Sequence, residues 1–173
     1  MKILKPYIES SVFIEFIKGE DPAKCDTISA IIAAAKAGAF KITTATWTIA
    51  EVHKRKGYSK GVAITDKQSE DVLLYFREEF IDIVEVDRAL AERAHGICRA
   101  YPDNGKDKTI KPGDAIHISA AERAGCDVIW TYEPDFLKLD YSKIKIETPT
   151  FDKEITEAIT PAENLDLNYG EPA

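Results

Sequence analysis

Ile3-Leu4-Lys5-Pro6-Tyr7-Ile8-Glu9-Ser10-Ser11-Val12-Phe13-Ile14, residues 3–14, changes its hydrophobic period in mid-stretch. Residues 3–8 are apolar and rich in β-branched and aromatic side chains, the pattern of a strand. Pro6 has no backbone N–H to give a sheet, so it fits only near a strand's end or at an edge. From Val12 onward the apolar residues, joined by Phe16 and Ile17, recur at helical spacing until Gly19 closes the run. Between the two periods sit one acid and two serines. The stretch therefore predicts a strand, a carboxylate at its end and a helix leaving from there.

The same alternation recurs further along the chain. Asp21-Pro22 opens an Ala- and Ile-rich helix that Gly38 ends. Residues 40–44 read as a second strand and 45–55 as the next helix. Thr65 and Gln68 form a capping-box pattern before a helix expected to reach residue 80, with Val72, Leu73, Phe76 and Phe80 as its buried stripe. Residues 81–86 are strand-like, and Asp87 caps a helix with Leu90, Ala94, Ile97, Cys98 and Tyr101 on one face. A polar loop, a helix over 114–125, a strand over 128–131 and a half-exposed strand over 144–146 follow. Strands alternating with helices predict an α/β domain of three layers, α/β/α, around a mostly parallel sheet. Such folds gather their ligands at the carboxyl ends of the strands.

At 173 residues, with 45% of them hydrophobic, the chain has the size and core of one domain, read here as 1–147, with an acidic extension over 148–173. No apolar run approaches the ~18 residues of a membrane helix, and no signal-peptide region opens the chain, so no membrane partner is expected. Cys25, Cys98 and Cys126 show no metal or disulfide spacing and are read as small buried hydrophobes of a protein in a reducing cytoplasm. The net charge of −7 argues against broad, charge-driven nucleic-acid binding. It leaves a nuclease possible, because acids committed to a cation are not a repulsive surface.

Four acidic segments stand at the ends of apolar runs: Glu9, Glu51, Asp114, and Glu133 with Asp135. Each has a local structural explanation. Glu9 could favour a helix N-terminus through the macrodipole. Thr48 and Glu51 match a capping box, although a helix beginning at Thr44 or Thr46 would project Glu51 from an early turn. Asp114 follows Pro112-Gly113 as helix-start residues do, and Glu133 and Asp135 fall in a turn. Jointly they share one edge of a parallel sheet. Carboxylates gathered there suit Mg²⁺ or Mn²⁺, and thereby phosphodiester hydrolysis.

Taken in order, Tyr7 to Ile14, Thr46 to Val52, Gly113 to Ala121 and Thr131-x-Glu133-x-Asp135-Phe136 resemble the motifs of the PIN-domain family of metal-dependent ribonucleases, in particular the VapC-like toxins of type II toxin–antitoxin pairs. The resemblance spans about 3–146. It departs where the family usually has Asp: Glu9 stands first, and Glu133, with Asp135 two residues on, stands last. It implies an Mg²⁺- or Mn²⁺-dependent endoribonuclease with an RNA substrate, a cognate antitoxin and a homodimeric state. Glu9 and Asp114 would be direct ligands. Glu51 and Glu133, or Asp135, would serve a second ion or orient water. Ser10 and Ser11 would hold a ligand carboxylate or a phosphate, and Lys54, Arg55 and Thr131 would face substrate.

Two other readings stay open: a catalytically impaired PIN-like module that binds RNA or protein, and a different metal-dependent phosphohydrolase. The latter lacks an Asp-x-Asp after the first strand and any Gly-rich phosphate loop. His117 is read as a packed or partly exposed helical histidine, with an approach to substrate as the alternative. Trp47 and Trp130 are read as core residues, with base stacking as the alternative.

Overall fold

A computed structural model describes residues 4–53, 65–101 and 110–151. Its elements are β1 (Pro6–Ile8), α1 (Ser10–Lys18), α2 (Pro22–Lys36), β2 (Ile42–Ala45), α3 (Thr46–Glu51), α4 (Asp66–Tyr75), β3 (Ile81–Val84), α5 (Arg88–Ala100), α6 (Pro112–Ala124), β4 (Val128–Trp130), α7 (Pro134–Leu137) and β5 (Lys145–Glu147). The strands form one five-stranded sheet in the order β3-β2-β1-β4-β5, with every neighbouring pair parallel.

β1 lies at the centre of the sheet, so Pro6 is not at an edge. It is instead the first residue of the strand, where its missing N–H costs no ladder bond. The preceding turn of chain is clamped to β4 from both sides. Lys5 N–H donates to Asp127 Oδ2 at 3.1 Å, and Asp127 N–H donates to the Lys5 carbonyl at 2.9 Å. Tyr7 then pairs in register with Thr43 on one side and Ile129 on the other.

Alternation along these strands builds two cores, one on each face. Ile8, Ile42, Val128 and Trp130 pack with Val12 and Phe13 of α1, Ile28 and Ile31 of α2, and Val72 of α4. Tyr7, Ala45 and Ile129 pack with Leu90 and Ile97 of α5, Ala115 and Ile118 of α6, and Phe136 of α7. The three-layer α/β/α expectation is met.

The helix starts follow their caps. Asp21 accepts from Ala23 and Lys24 N–H, Asp87 accepts from Leu90 N–H at 2.8 Å, and the Thr65–Gln68 box is complete in both directions. Four differences from expectation have physical causes. α4 ends at Tyr75 rather than near residue 80, because Ile81 must already pair with Ile42. Its Leu73 is 39% exposed and belongs to no buried stripe. The Glu133 turn continues as the short helix α7, started by Pro134. Of the cysteines only Cys126 is buried. The helix expected over 45–55 closes as α3 at Glu51, where Val52 leaves helical geometry. Residues 54–55, the centre of the polar loop and the acidic extension past 151 lie outside the described residues. Among the described residues no helix is long and apolar enough to cross a membrane.

Candidate active site

Glu9 sits between β1 and α1, at the carboxyl edge of the central strand. Its N–H donates to the Trp130 carbonyl at 3.1 Å, which extends the β1–β4 pairing by one residue. The residue is only 6% exposed. A buried carboxylate must be answered by donors, and four are present. Ser10 Oγ donates to Oε1. Ser11 Oγ, Ser11 N–H (3.0 Å) and Thr131 Oγ1 (2.8 Å) donate to Oε2. Two of these hydroxyls are themselves held by the chain after β4. Tyr132 N–H donates to Ser11 Oγ and Glu133 N–H to Thr131 Oγ1, both at 2.9 Å. Glu9 thus also serves as the N-cap of α1, and Oε1 is the oxygen with acceptor capacity left over.

Glu51 is the last residue of α3. That helix begins at Thr46 behind an Ala45 cap position with no side-chain bond, so Thr48 is not a cap and Glu51 projects from the second turn. The Thr48 hydroxyl is used inside, accepting from Thr44 Oγ1 at 2.8 Å. Glu51 is half-buried. Burial alone would weaken its acidity, but hydrogen bonding from His117, joined by bonds from Ser10 and Trp47, prevails and holds its carboxyl below the usual range.

His117 of α6 is 1% exposed and spans the site. Its Nε2 is 2.8 Å from Glu51 Oε2 and 3.8 Å from Glu9 Oε1, and its Nδ1 is 2.8 Å from Tyr7 Oη. One ligand atom each of Glu9, Glu51 and His117 lie within 4.8 Å of one another.

Asp114 occupies the first turn of α6. It reaches the site from a helix that follows another helix, not a strand. A Cβ placed on the neighbouring Gly113 would lie 3.5 Å from Glu51 Oε1, so this turn packs directly on the Glu51 carboxylate. Burial first, opposed by Lys111 and His117 and reinforced by the charge of Glu9, pushes the Asp114 carboxyl up to about 6. Glu133 is half-buried at the start of α7, with no capping bond from its side chain. Asp135 is exposed and paired with Lys111 (3.2 Å) and Lys138 (3.3 Å), which hold its carboxyl low.

The fold therefore brings Glu9, Ser10, Ser11, Glu51 and Thr131 together and sets Asp114 within electrostatic reach of Glu9. Asp135 is turned to lysines. Lys54 and Arg55 lie outside the described residues. Ser10 and Ser11 hold a carboxylate, that of Glu9. Trp130 is core, but Trp47 is not: it is 36% exposed, with its indole at the rim beside Glu51. Two participants escaped the sequence. His117 was set aside as a packed helical histidine, although a lone imidazole between Ile116 and Ile118, three residues after Asp114, was a usable signal. Tyr7 carried none beyond its place in a strand.

The donor set suits a hard divalent cation, being two carboxylates with a third beside them and one Glu9 oxygen unsaturated.

A parallel α/β/α sheet with converging carboxylates at its edge defines a class of fold, and the comparisons identify which. The PIN domain family matches residues 7–141, and the chain belongs to that family. No curated protein sequence matches it. Among solved structures, VapC20 of Mycobacterium tuberculosis, a Sarcin-Ricin loop cleaving toxin, superposes with a TM-score of 0.56 at 12% identity, over 76% of this chain and 92% of that one. DNA-bound VapBC from Salmonella typhimurium gives 0.57 at 19% identity, over 85% and 99%. VapBC2 from Rickettsia felis, bound to a fragment of its promoter, gives 0.56 at 13%, over 84% and 98%.

Proposed function

We propose that this protein is a metal-dependent endoribonuclease and the toxin of a type II toxin–antitoxin pair, homodimeric and restrained by a cognate antitoxin protein. The observation that carries the reading is the meeting of the Glu9 and Glu51 carboxylates, with Asp114 in electrostatic reach, at the carboxyl edge of the sheet of a PIN-domain chain. Similarity to a toxin that cleaves RNA and to VapBC assemblies supports the substrate and partner.

Glu9 Oε1, Glu51 and Asp114 would hold Mg²⁺ or Mn²⁺, and Glu133 would serve a second ion. Such an ion, when bound, supplies Lewis acidity to a phosphoryl oxygen and offsets the charge of the attacking and leaving oxygens. The chain's own work is positioning. The hydroxyls of Ser10, Ser11 and Thr131 fix the long Glu9 side chain where an Asp is usual in the family. Asp114 holds a proton below about pH 6, and ion binding must displace it, so affinity rises with pH across that range. The extra methylene of Glu9 favours the geometrically more tolerant Mn²⁺ over Mg²⁺.

The test is calorimetric titration with Mg²⁺ and Mn²⁺ together with cleavage of mixed RNA, for the wild type and Asp114→Asn. Ion binding and cleavage by the wild type, with cleavage lost in Asp114→Asn, are expected. Absence of both in the wild type overturns the reading. The near-saturation of Glu9 by four donors favours one second reading, a PIN-like module that binds RNA or protein without cutting it. RNA retention without ion binding would support that reading.

A further inference from the structure

We propose that Tyr7 and His117 are positioning residues for Glu51: Tyr7 locks the imidazole with its hydrogen on Nε2, and that hydrogen aims the Glu51 carboxylate at Glu9 Oε1 and the first turn of α6. The consequence for metal binding rests on the nuclease reading above; the hydrogen-bond order does not.

The order follows from what each group can give and take. A carboxylate such as that of Glu51 only accepts. At 2.8 Å from Glu51 Oε2, His117 Nε2 must therefore carry a hydrogen, since two acceptors facing each other at that distance repel. In the neutral ring Nδ1 is then the acceptor, and the atom 2.8 Å from it is Tyr7 Oη. Tyr7 is a dependable donor. Tyr7, at 0% exposure, and His117, at 1%, keep the bond between them away from water.

This order also decides between two roles for His117. Its proximity to Glu9 and Glu51 would allow it to bind a cation directly. A ring nitrogen bound to a cation cannot also carry the hydrogen that Glu51 accepts, and the other nitrogen is taken by Tyr7. His117 thus acts through Glu51 instead of on the ion. Groups one step behind a ligand commonly change metal affinity by about 10–100-fold when removed.

The test combines imidazole ¹⁵N NMR of the metal-free protein with Mn²⁺ titration of the wild type, Tyr7→Phe, His117→Gln and His117→Ala. The expected spectrum shows His117 hydrogen on Nε2 and a bare, hydrogen-bonded Nδ1, with the Nδ1 shift displaced in Tyr7→Phe. Mn²⁺ affinity is expected to fall about 10–100-fold in His117→Ala and to recover in part in His117→Gln, whose amide can still donate to Glu51. A hydrogen on Nδ1, or Mn²⁺ affinity unchanged in both folded His117→Ala and Tyr7→Phe, overturns the proposal. If His117→Ala does not fold, Tyr7→Phe, which keeps the ring volume, decides alone. If the wild type binds neither Mn²⁺ nor Mg²⁺, the nuclease reading fails, and the positioning consequence with it. The spectrum then judges the donor order by itself.

Discussion

Asp114 sets a conflict between stability and the proposed function in one side chain. The folded, metal-free protein keeps its proton up to about pH 6, while the unfolded chain releases it near 3.8. Between those values the folded state binds more protons, so stability falls as pH rises through that window. Discounted for its partial exposure, the loss is about 1–2 kcal/mol. Asp114→Asn should remove it. Urea denaturation at pH 7 without metal is expected to show the variant more stable than the wild type by about that amount, while RNA cleavage disappears. Equal midpoints at pH 4 and pH 7 for the wild type would refute the conflict. Thr131→Val should act oppositely. It deletes a donor to a buried carboxylate and strands Glu133 N–H, at a cost of about 1–3 kcal/mol by the same measurement. At this scale the sequence showed which acids to suspect but not how they are held. Ser10 and Ser11 stand beside Glu9, but Thr131 lies 122 residues from it and His117 lies 66 residues from Glu51, and no local pattern encodes such pairs.

Elements were more legible, because caps are local. Asp21, Thr65 and Asp87 each announce a helix by chemistry confined to the next three residues, and the structure uses all three. Thr65→Ala should therefore destabilise the protein by about 1 kcal/mol, read as a shift in urea midpoint with unchanged slope. Helix ends are less legible. α4 stops where β3 must pair, a constraint set by β2 some forty positions earlier. Trp47 illustrates the same limit: an indole in a short helix after a buried strand looks like core, yet α3 presents it at the rim. Trp130 is 2% exposed and Trp47 is 36% exposed, so acrylamide should quench only one of two tryptophan populations. Trp47→Phe should leave a blue-shifted emission that acrylamide hardly touches.

The whole molecule is a central strand with a core on each side. Ile129, at 0% exposure, faces the α5–α6 side, and its truncation to Ala should cost about 2–5 kcal/mol by urea denaturation. Alternation of strands and helices made the three layers readable. The strand order was not readable, since β1 takes its neighbours from positions about 36 and 122 residues downstream. That arrangement has a bearing on how the chain is made. A ribosome delivers Glu9 long before Thr131 and the N–H groups of Tyr132 and Glu133, which hold it still and follow it by 122 residues or more. Until then the nascent chain carries the acids without their geometry. The arrangement around Glu9 therefore forms as a single late event, and a chain released before Thr131 never acquires it.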